Sequence, residues 1–427
     1  MWVASMGFDE WTPGWQQLGR FLAAVFCVAL LVVTFTGVGF FQVWNVAGIT
    51  QSYFSVAPVV TAVALTILVA AVLFGGARRL GAVIGCVVPI AFVLYALCGL
   101  GVLITQADRL PDVFAMIFRS AFSAHETGGA FLGASVGYAF LFGTQRAFYS
   151  TLTGQGASPI AHSAARTSEP ARQGLIASLE PLIDTALIGT FSALVILVSG
   201  VWNRPPDATF FGPLQLHGSI ATGDWTLANT TVPTLGAGSW REGQRVVLQI
   251  HGSKNASTGN DLHRLEGVVI TDPDGRLEID WDYASSRTVA EITEGGVWFD
   301  YDGATLTARA FDVAWNGAGK WVVTIVCWLF ACAALIAWGY YGEQAVVYLF
   351  GAAAAAIPYR LVLLAVMLGG GTKVVSTVED VAAWSTLGGG LMLWVNVPIT
   401  LLLSAQAMQA WRDYRRRDRG ERRAGAG

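Results

Sequence analysis

A few polar side chains of this chain lie inside apolar stretches, where an ionised or unpaired group is costly and informative. Asp184, in LEPLIDTALIGTFSALVIL, stands one helical turn beyond Glu180. Its carboxylate can contact a cation, an amine or a helix end, or act as a structural acceptor within a helix bundle. Gln42, in GFFQVWNVAG at the outer end of a first apolar run, can bind a polar ligand or reach interfacial water. Trp338 precedes Tyr340, Tyr341, Gly342 and Glu343. Such aromatics gather at headgroup depth, although by position Trp338 sits deeper than the tyrosines. Gly128, Gly129, Gly133, Gly137 and Gly143 crowd one further apolar run. There they allow close helix packing or a break in the helix.

Other chemistry is absent. The glycines of TGQGAS (153–158) are not followed by the Gly-Lys-Ser/Thr of a phosphate loop. His162 is a lone histidine in an alanine-rich segment and reads as structural. The acids of TDPDGRLEIDWD lack the spacing of a twelve-residue calcium loop and read as a hairpin turn. Cys27, Cys86, Cys98, Cys327 and Cys332 all fall in apolar runs, with no disulfide or metal-ligand spacing. No enzyme activity and no cofactor is expected.

The elements that must position these residues are membrane helices. Of 427 residues, 54% are hydrophobic and 13% charged, with a mean hydropathy of +0.53; a soluble domain is about a quarter charged. The net charge of −3 implies no polyanionic partner and argues against nucleic acid. Eight apolar runs reach the roughly 20 residues a bilayer requires: 19–39, 56–75, 83–105, 129–145, 175–200, 321–341, 345–369 and 387–406. Trp2, Trp11 and Trp15 precede the first.

Arginines orient them. Arg78 and Arg79 separate spans two and three. Arg146, Arg166 and Arg172 separate spans four and five, and Arg360 is read between spans six and seven. WRDYRRRDRGERR follows span eight. If these face the cytoplasm, both termini are cytoplasmic and 202–318 lies outside. That segment has about fifteen acids against eight bases. It alternates like strands at 245–251, 276–282, 297–301 and 305–311, with a turn at 271–275. The expected fold is an α-helical polytopic membrane protein carrying an inserted extracytoplasmic all-β domain, read as a sandwich. The expected divisions are helices at 1–201, a β domain at 202–319, helices at 320–412 and a basic tail at 413–427.

Several motifs agree on one resemblance. Gly143, Arg146, Ser150, Gly154, Gly156, Pro159, Ala161 and His162 match Gly-x-x-Arg-Gly-x-Phe-Ser-Asn-Glu-Ala-Gly-x-Gly-Ser-Ala-Pro-x-Ala-His. Pro170, Gln173, Gly174 and Leu175, then Asp184-Thr185, WGYYGEQAVVYLFG (338–351) and Tyr359-Arg360 come after it in order. This pattern resembles the alanine or glycine:cation symporter family (sodium:alanine symporters). The resemblance implies a partial inverted-repeat amino-acid transporter fold with a broken helix at 128–143 and a midplane site. Gln42, Gly128, Gly129, Gly133 and Trp338 would then line the substrate site and Asp184 would serve ion coupling. The partners would be a small neutral amino acid such as alanine or glycine, Na⁺ as coupling ion and the lipid bilayer of a bacterial inner membrane. Oligomeric state is left open.

Three departures stand against that pattern. The chain reads as beginning just before the family's third core helix. Thr151-Leu152-Thr153 replaces Asn-Glu-Ala, and Ala333-Ala334 replaces a Ser-Thr pair whose hydroxyls can ligate sodium. Two readings remain: a cation-coupled carrier, or a transport-incompetent relative presenting its β domain for binding or assembly.

Overall fold

The computed structural model describes residues 13–122, 143–144, 147, 154–163, 167, 169–212, 214–235, 240–254, 261–301, 303–372 and 378–424. The expected span 129–145, with Gly128, Gly129 and Gly133, therefore lies outside the described residues apart from 143–144. Two compact units emerge. One comprises residues 1–98, 145–192 and 321–427, the other 99–144 and 193–320.

The first unit is helical. Helix α1 (Pro13–Val33) passes through a π-helical segment (Thr34–Phe40) into α2 (Phe41–Phe54). The run Gln16–Phe54 is apolar over 39 residues, so the chain does not leave the membrane helix near residue 39 as the sequence suggests. Ser55, in the left-handed region at φ 55°, ends it, and Pro58 opens α3 (Pro58–Leu73), where a missing N–H costs nothing. Helix α4 (Gly76–Thr105) begins in this unit and ends in the other, to which α5 (Leu110–Phe122) belongs; α6 (Ser158–Ser163), α7 (Pro170–Ser178) and a second π segment (Leu182–Gly189) lie in the first unit, and α8 (Thr190–Ser199) leads back to the second.

Among the described residues, four helices are long and apolar enough to cross a bilayer, or five if a bent pair counts as one span. Pro58–Leu73 and Ala353–Gly369 are shorter apolar helices at two further expected positions.

The other unit carries nine strands among its described residues: β1 (Ala208–Thr209), β2 (Leu216–Gly218), β3 (Asp224–Leu227), β4 (Thr234–Leu235), β5 (Arg245–His251), β6 (Leu262–Thr271), β7 (Leu277–Trp281), β8 (Ala284–Ser285) and β9 (Glu291–Phe299). An antiparallel sheet runs β4-β1-β9-β5-β6-β7, and a smaller one runs β2-β3-β8. Alternation explains the burial: Val246, Leu248 and Ile250 of β5 point inward with Leu265, Val269, Ile279 and Val297. Trp225 and Leu227 of β3 close the same core. Asp272 shapes the β6–β7 turn, its Oδ1 accepting the N–H groups of Asp274 and Arg276 at 2.7 and 3.0 Å. That is the hairpin role expected of it.

Residues 305–311 are not a strand. They lie in α9 (Ala304–Trp315), which ends at Asn316 in the left-handed conformation. Thr305, Ala308 and Phe311 are buried at helical spacing, so this segment is not all-β. Trp315 packs against Gly101 of α4 so closely that a side chain there would clash.

Arg204 joins the strands to the chain entering them. Its guanidinium donates to Asp207 Oδ2 (3.2 Å) and the Phe299 carbonyl (2.7 Å), and lies 4.7 Å from the centre of the Tyr301 ring. Asp207 in turn accepts the Phe299 N–H at 2.9 Å. Burial pushes the Tyr301 phenol above its ordinary range, so it stays neutral in the physiological range.

Helix α10 (Gly319–Phe350) runs unbroken for 32 residues, without the break that the sequence suggests between 341 and 345. A 3₁₀ turn (Ala353–Ala355) leads to α11 (Ala356–Gly369), then α12 (Val378–Leu402) and α13 (Ser404–Ala424). Arg360 is therefore not a loop residue. It sits in α11 and forms a two-pronged pair with Glu343 of α10, at 2.9 and 2.8 Å.

Both partners of that pair are 17% exposed. Arg360→Ala strands a buried carboxylate and should cost about 3–5 kcal/mol, while the double change Arg360→Leu, Glu343→Leu should recover most of it. Thermal unfolding in detergent measures both. In the β unit, Arg204→Ala should lower stability by about 2 kcal/mol. Arg204→Lys should restore only part, because an ammonium cannot reproduce the planar fork; denaturant unfolding followed by Trp fluorescence checks this.

Candidate functional site

The first helix carries the feature that organises the helical unit. Starting from Thr34, nine residues of regular helix would bring Val43 half a turn round, onto the opposite face. The wider turns of the π segment bring Val43, Val46 and Thr50 back into the core, where all are buried. The register change disturbs the carbonyl ladder. Thr34 and Thr36 donate their hydroxyls to the carbonyls of Leu30 and Val32, at 2.8 and 2.7 Å. Gln42 comes directly after, in the first turn of α2, and is partly exposed. It stands inside a continuous helix rather than at a helix end. Among the described residues its side-chain amide makes no hydrogen bond.

Trp338 lies deep in α10 and is 5% exposed. It is a core residue, not a member of an interfacial belt. Its ring meets Tyr341 edge-on at 5.7 Å between centroids.

The neighbouring turn connects it to the π segment through α11. Leu363 fits between two glycines: a Cβ on Gly39 would stand 3.2 Å from Leu363 Cδ1, and one on Gly339 would stand 3.3 Å from Cδ2. Tyr359 donates its hydroxyl to the Gly339 carbonyl at 3.0 Å, and its ring lies 5.8 Å from that of Phe35. It also fills the space a side chain on Gly342 would occupy. The structure thus brings the π segment and the turn from Trp338 to Gly342 to one buried junction, with α11 between them.

Asp184 falls in the second π segment, at partial exposure, and among the described residues its carboxylate has no hydrogen bond or ion pair. Both polar residues singled out in apolar runs therefore accompany π segments, a departure from regular helix that is frequent at functional sites. Gly128, Gly129 and Gly133 lie outside the described residues.

Two further features escape a reading by motif alone. Gln155 is 3% exposed, held between Gly154 and Gly156 at φ 78° and 81°. Only glycine adopts that conformation without penalty. Asn396 of α12 donates to the Gly154 carbonyl at 2.8 Å, and its side chain excludes any Cβ from Gly156. The signal in the sequence is Gly-Gln-Gly, a buried turn instead of a phosphate loop. His162 belongs to a surface network: Gln173 Nε2 stands 2.7 Å from its Nδ1, and Glu180 lies 3.6 Å from its Nε2 while accepting the Ser158 hydroxyl at 2.6 Å. The structural role expected of His162 accords with these contacts.

The described residues hold no group of three or more His, Cys, Asp or Glu able to bind a metal. In the β unit, a cleft of about 450 Å³ is lined by Phe210, Leu214, Leu216, Trp225 and Ile292, with Glu291 among its polar groups.

Comparison with known proteins matches the sodium:alanine symporter family over residues 14–227 and 285–425, on either side of a stretch that holds β4 to β7. An uncharacterized transporter of Haemophilus influenzae is 33% identical over 218 residues, 51% of this chain and 47% of that protein. The putative sodium/proton-dependent alanine carrier protein YrbD of Bacillus subtilis is 25% identical over 403 residues, 93% of this chain and 64% of its own length. The sodium/alanine symporter AgcS of Methanococcus maripaludis is 34% identical over 189 residues, 44% of this chain and 41% of its own. The chain spans less than two thirds of the length of each of these relatives. With a match across both helical stretches and the buried turns that carry its motifs, the chain belongs to the sodium:alanine symporter family, whose members are membrane transporters and not enzymes.

Proposed function

We propose that the chain is the body of a carrier that moves a small neutral amino acid, such as alanine or glycine, together with a cation, with sodium the expected ion. The observation that carries this reading is the family match over both membrane stretches, which contain the junction of the π segment, α11 and the Trp338 turn. Gln42 and Trp338 are assigned to the substrate side, with Gly128, Gly129 and Gly133 supplying broken-helix backbone. Exposed N–H and C=O groups at such a break bind carboxylate and ammonium without placing a full protein charge in lipid. Asp184 is assigned to the coupling ion. Two relatives are named as sodium/proton-dependent alanine carriers, which supports a cation gradient as the driving force here.

On this reading the chain crosses a bacterial inner membrane eight times, with both termini cytoplasmic and the β unit on the far side. Alternation between inward and outward states requires helices that move without large side chains interlocking. Gly39, Gly339, Gly342 and Gly388, each in close contact with a neighbouring side chain, suit that requirement.

A second reading is favoured by one observation. Ala333 is buried and Ala334 packs against the same core, and neither has a side-chain oxygen for a hard cation. The chain would then be transport-incompetent and would present its β unit for binding or assembly.

Uptake of labelled alanine and glycine by proteoliposomes of the full chain, under imposed sodium and proton gradients, separates the two. The carrier reading expects gradient-driven accumulation that falls roughly tenfold or more in Trp338→Ala, the loss typical of a buried aromatic anchor. Asp184→Asn should remove the dependence on the coupling gradient. Uptake no greater than that of empty vesicles, or unchanged in Trp338→Ala, contradicts it.

A further inference from the structure

Helix α13 separates its charges by face. It holds seven arginines and three acids in Ser404–Ala424. At 100° per residue, Arg412, Arg415, Arg416, Arg419, Arg422 and Arg423 share one stripe about 16 Å long. Asp413, Arg417, Asp418 and Glu421 fall on the remaining arc. That arc makes the protein contact: Arg417, itself largely exposed, pairs with Glu169 at 3.0 Å, and the half-buried Trp411 and Tyr414 rings stack on it at 5.9 Å. Arg412, Arg415 and Arg416 are exposed, and among the described residues none has an acidic partner. Six cationic positions in register, with the acids sorted away from them, are more than a solubilising tail requires.

We infer that this stripe is a docking surface for the anionic phospholipid headgroups of the membrane that the preceding helix crosses. Continuity favours lipid over any soluble polyanion. Helix α12 ends at Leu402, a single residue separates it from α13, and the axis turns by 56°. The last turns of α12 expose Trp394, Leu401 and Leu402 at 82%, 69% and 44%, an apolar face of the kind lipid covers. The arginine stripe therefore starts close to where the hydrocarbon ends, within reach of phosphates. Guanidinium groups bind phosphate oxygens in two-pronged fashion, and each basic residue near an anionic leaflet strengthens attachment roughly fivefold. The Glu169 contact holds α13 by its other side, so headgroup binding and the protein contact do not compete. None of this depends on whether the chain transports.

The test is hydrogen–deuterium exchange of residues 411–424 in the full chain, in nanodiscs of phosphatidylcholine alone or with about one-third phosphatidylglycerol. Amide exchange should be at least several-fold slower in the anionic discs, and the difference should vanish at about 0.5 M salt, where screening leaves exposed charges a reach of about 4 Å. The triple variant Arg412→Gln, Arg415→Gln, Arg416→Gln should lose roughly a hundredfold in attachment and exchange alike in both discs, with its α12 amides unchanged. Equal exchange of the natural chain in the two lipids overturns the inference. So does equal slowing by added tRNA in phosphatidylcholine discs, which would assign the stripe to polyanions in general.

Discussion

Backbone groups inside hydrocarbon must find their partners within the protein, and the first helix meets that constraint while departing from regular geometry. Thr34 and Thr36 each return a hydroxyl to a carbonyl one turn back. The widened turns can then persist in a dry core. Three features depend on them: the face that Val43, Val46 and Thr50 turn inward, the position of Gln42, and the hydrogen bond from Trp328 Nε1 to Thr50 at 3.0 Å that ties α10 to α2.

Around that helix, the packing relies on the absence of side chains as much as on their presence. Lipid offers no hydrophobic drive for helices to associate, so close approach and interhelical hydrogen bonds supply the attraction. Gly39 and Gly339 receive Leu363, and Gly342 receives Tyr359. The charge pair of Arg360 with Glu343 is satisfied at both prongs and lets two helices carry full charges within apolar sequence. The β unit obeys the rules of water instead: a core alternating along its strands, and a partly buried arginine, Arg204, linking its first and last segments.

Much of this is legible in the sequence and some is not. The apolar runs, the strand Arg245–His251 and the turn at Asp272 can be read because each depends on a local pattern. Residues 305–311 pass for a strand because TLTARAF satisfies a period of two and a period of 3.6 alike; the length of α9 and the left-handed Asn316 decide for helix. Glu343 looks like a helix end until Arg360, seventeen residues later, is seen to neutralise it, and α10 continues past both tyrosines. The π segments leave no mark in composition, since one residue too many in a helix is invisible without its neighbours. Gln42 and Trp338 stand out by residue type, but the depth of each comes from packing that sequence does not record.

The π segment sets the face of every residue after it in the first helix. Deleting one residue of it, Thr36, should return the helix to regular geometry and leave Val43 and Thr50 close to their present faces, because the widened turns absorb one residue too many. Deleting Asn45 from the regular turns that follow should instead rotate Val46 and Thr50 by about 100° out of the core. Thermal unfolding of the two deletions beside the natural chain tests this most directly: the Asn45 deletion is expected to lose far more stability than the Thr36 deletion. Equal losses from the two would contradict it.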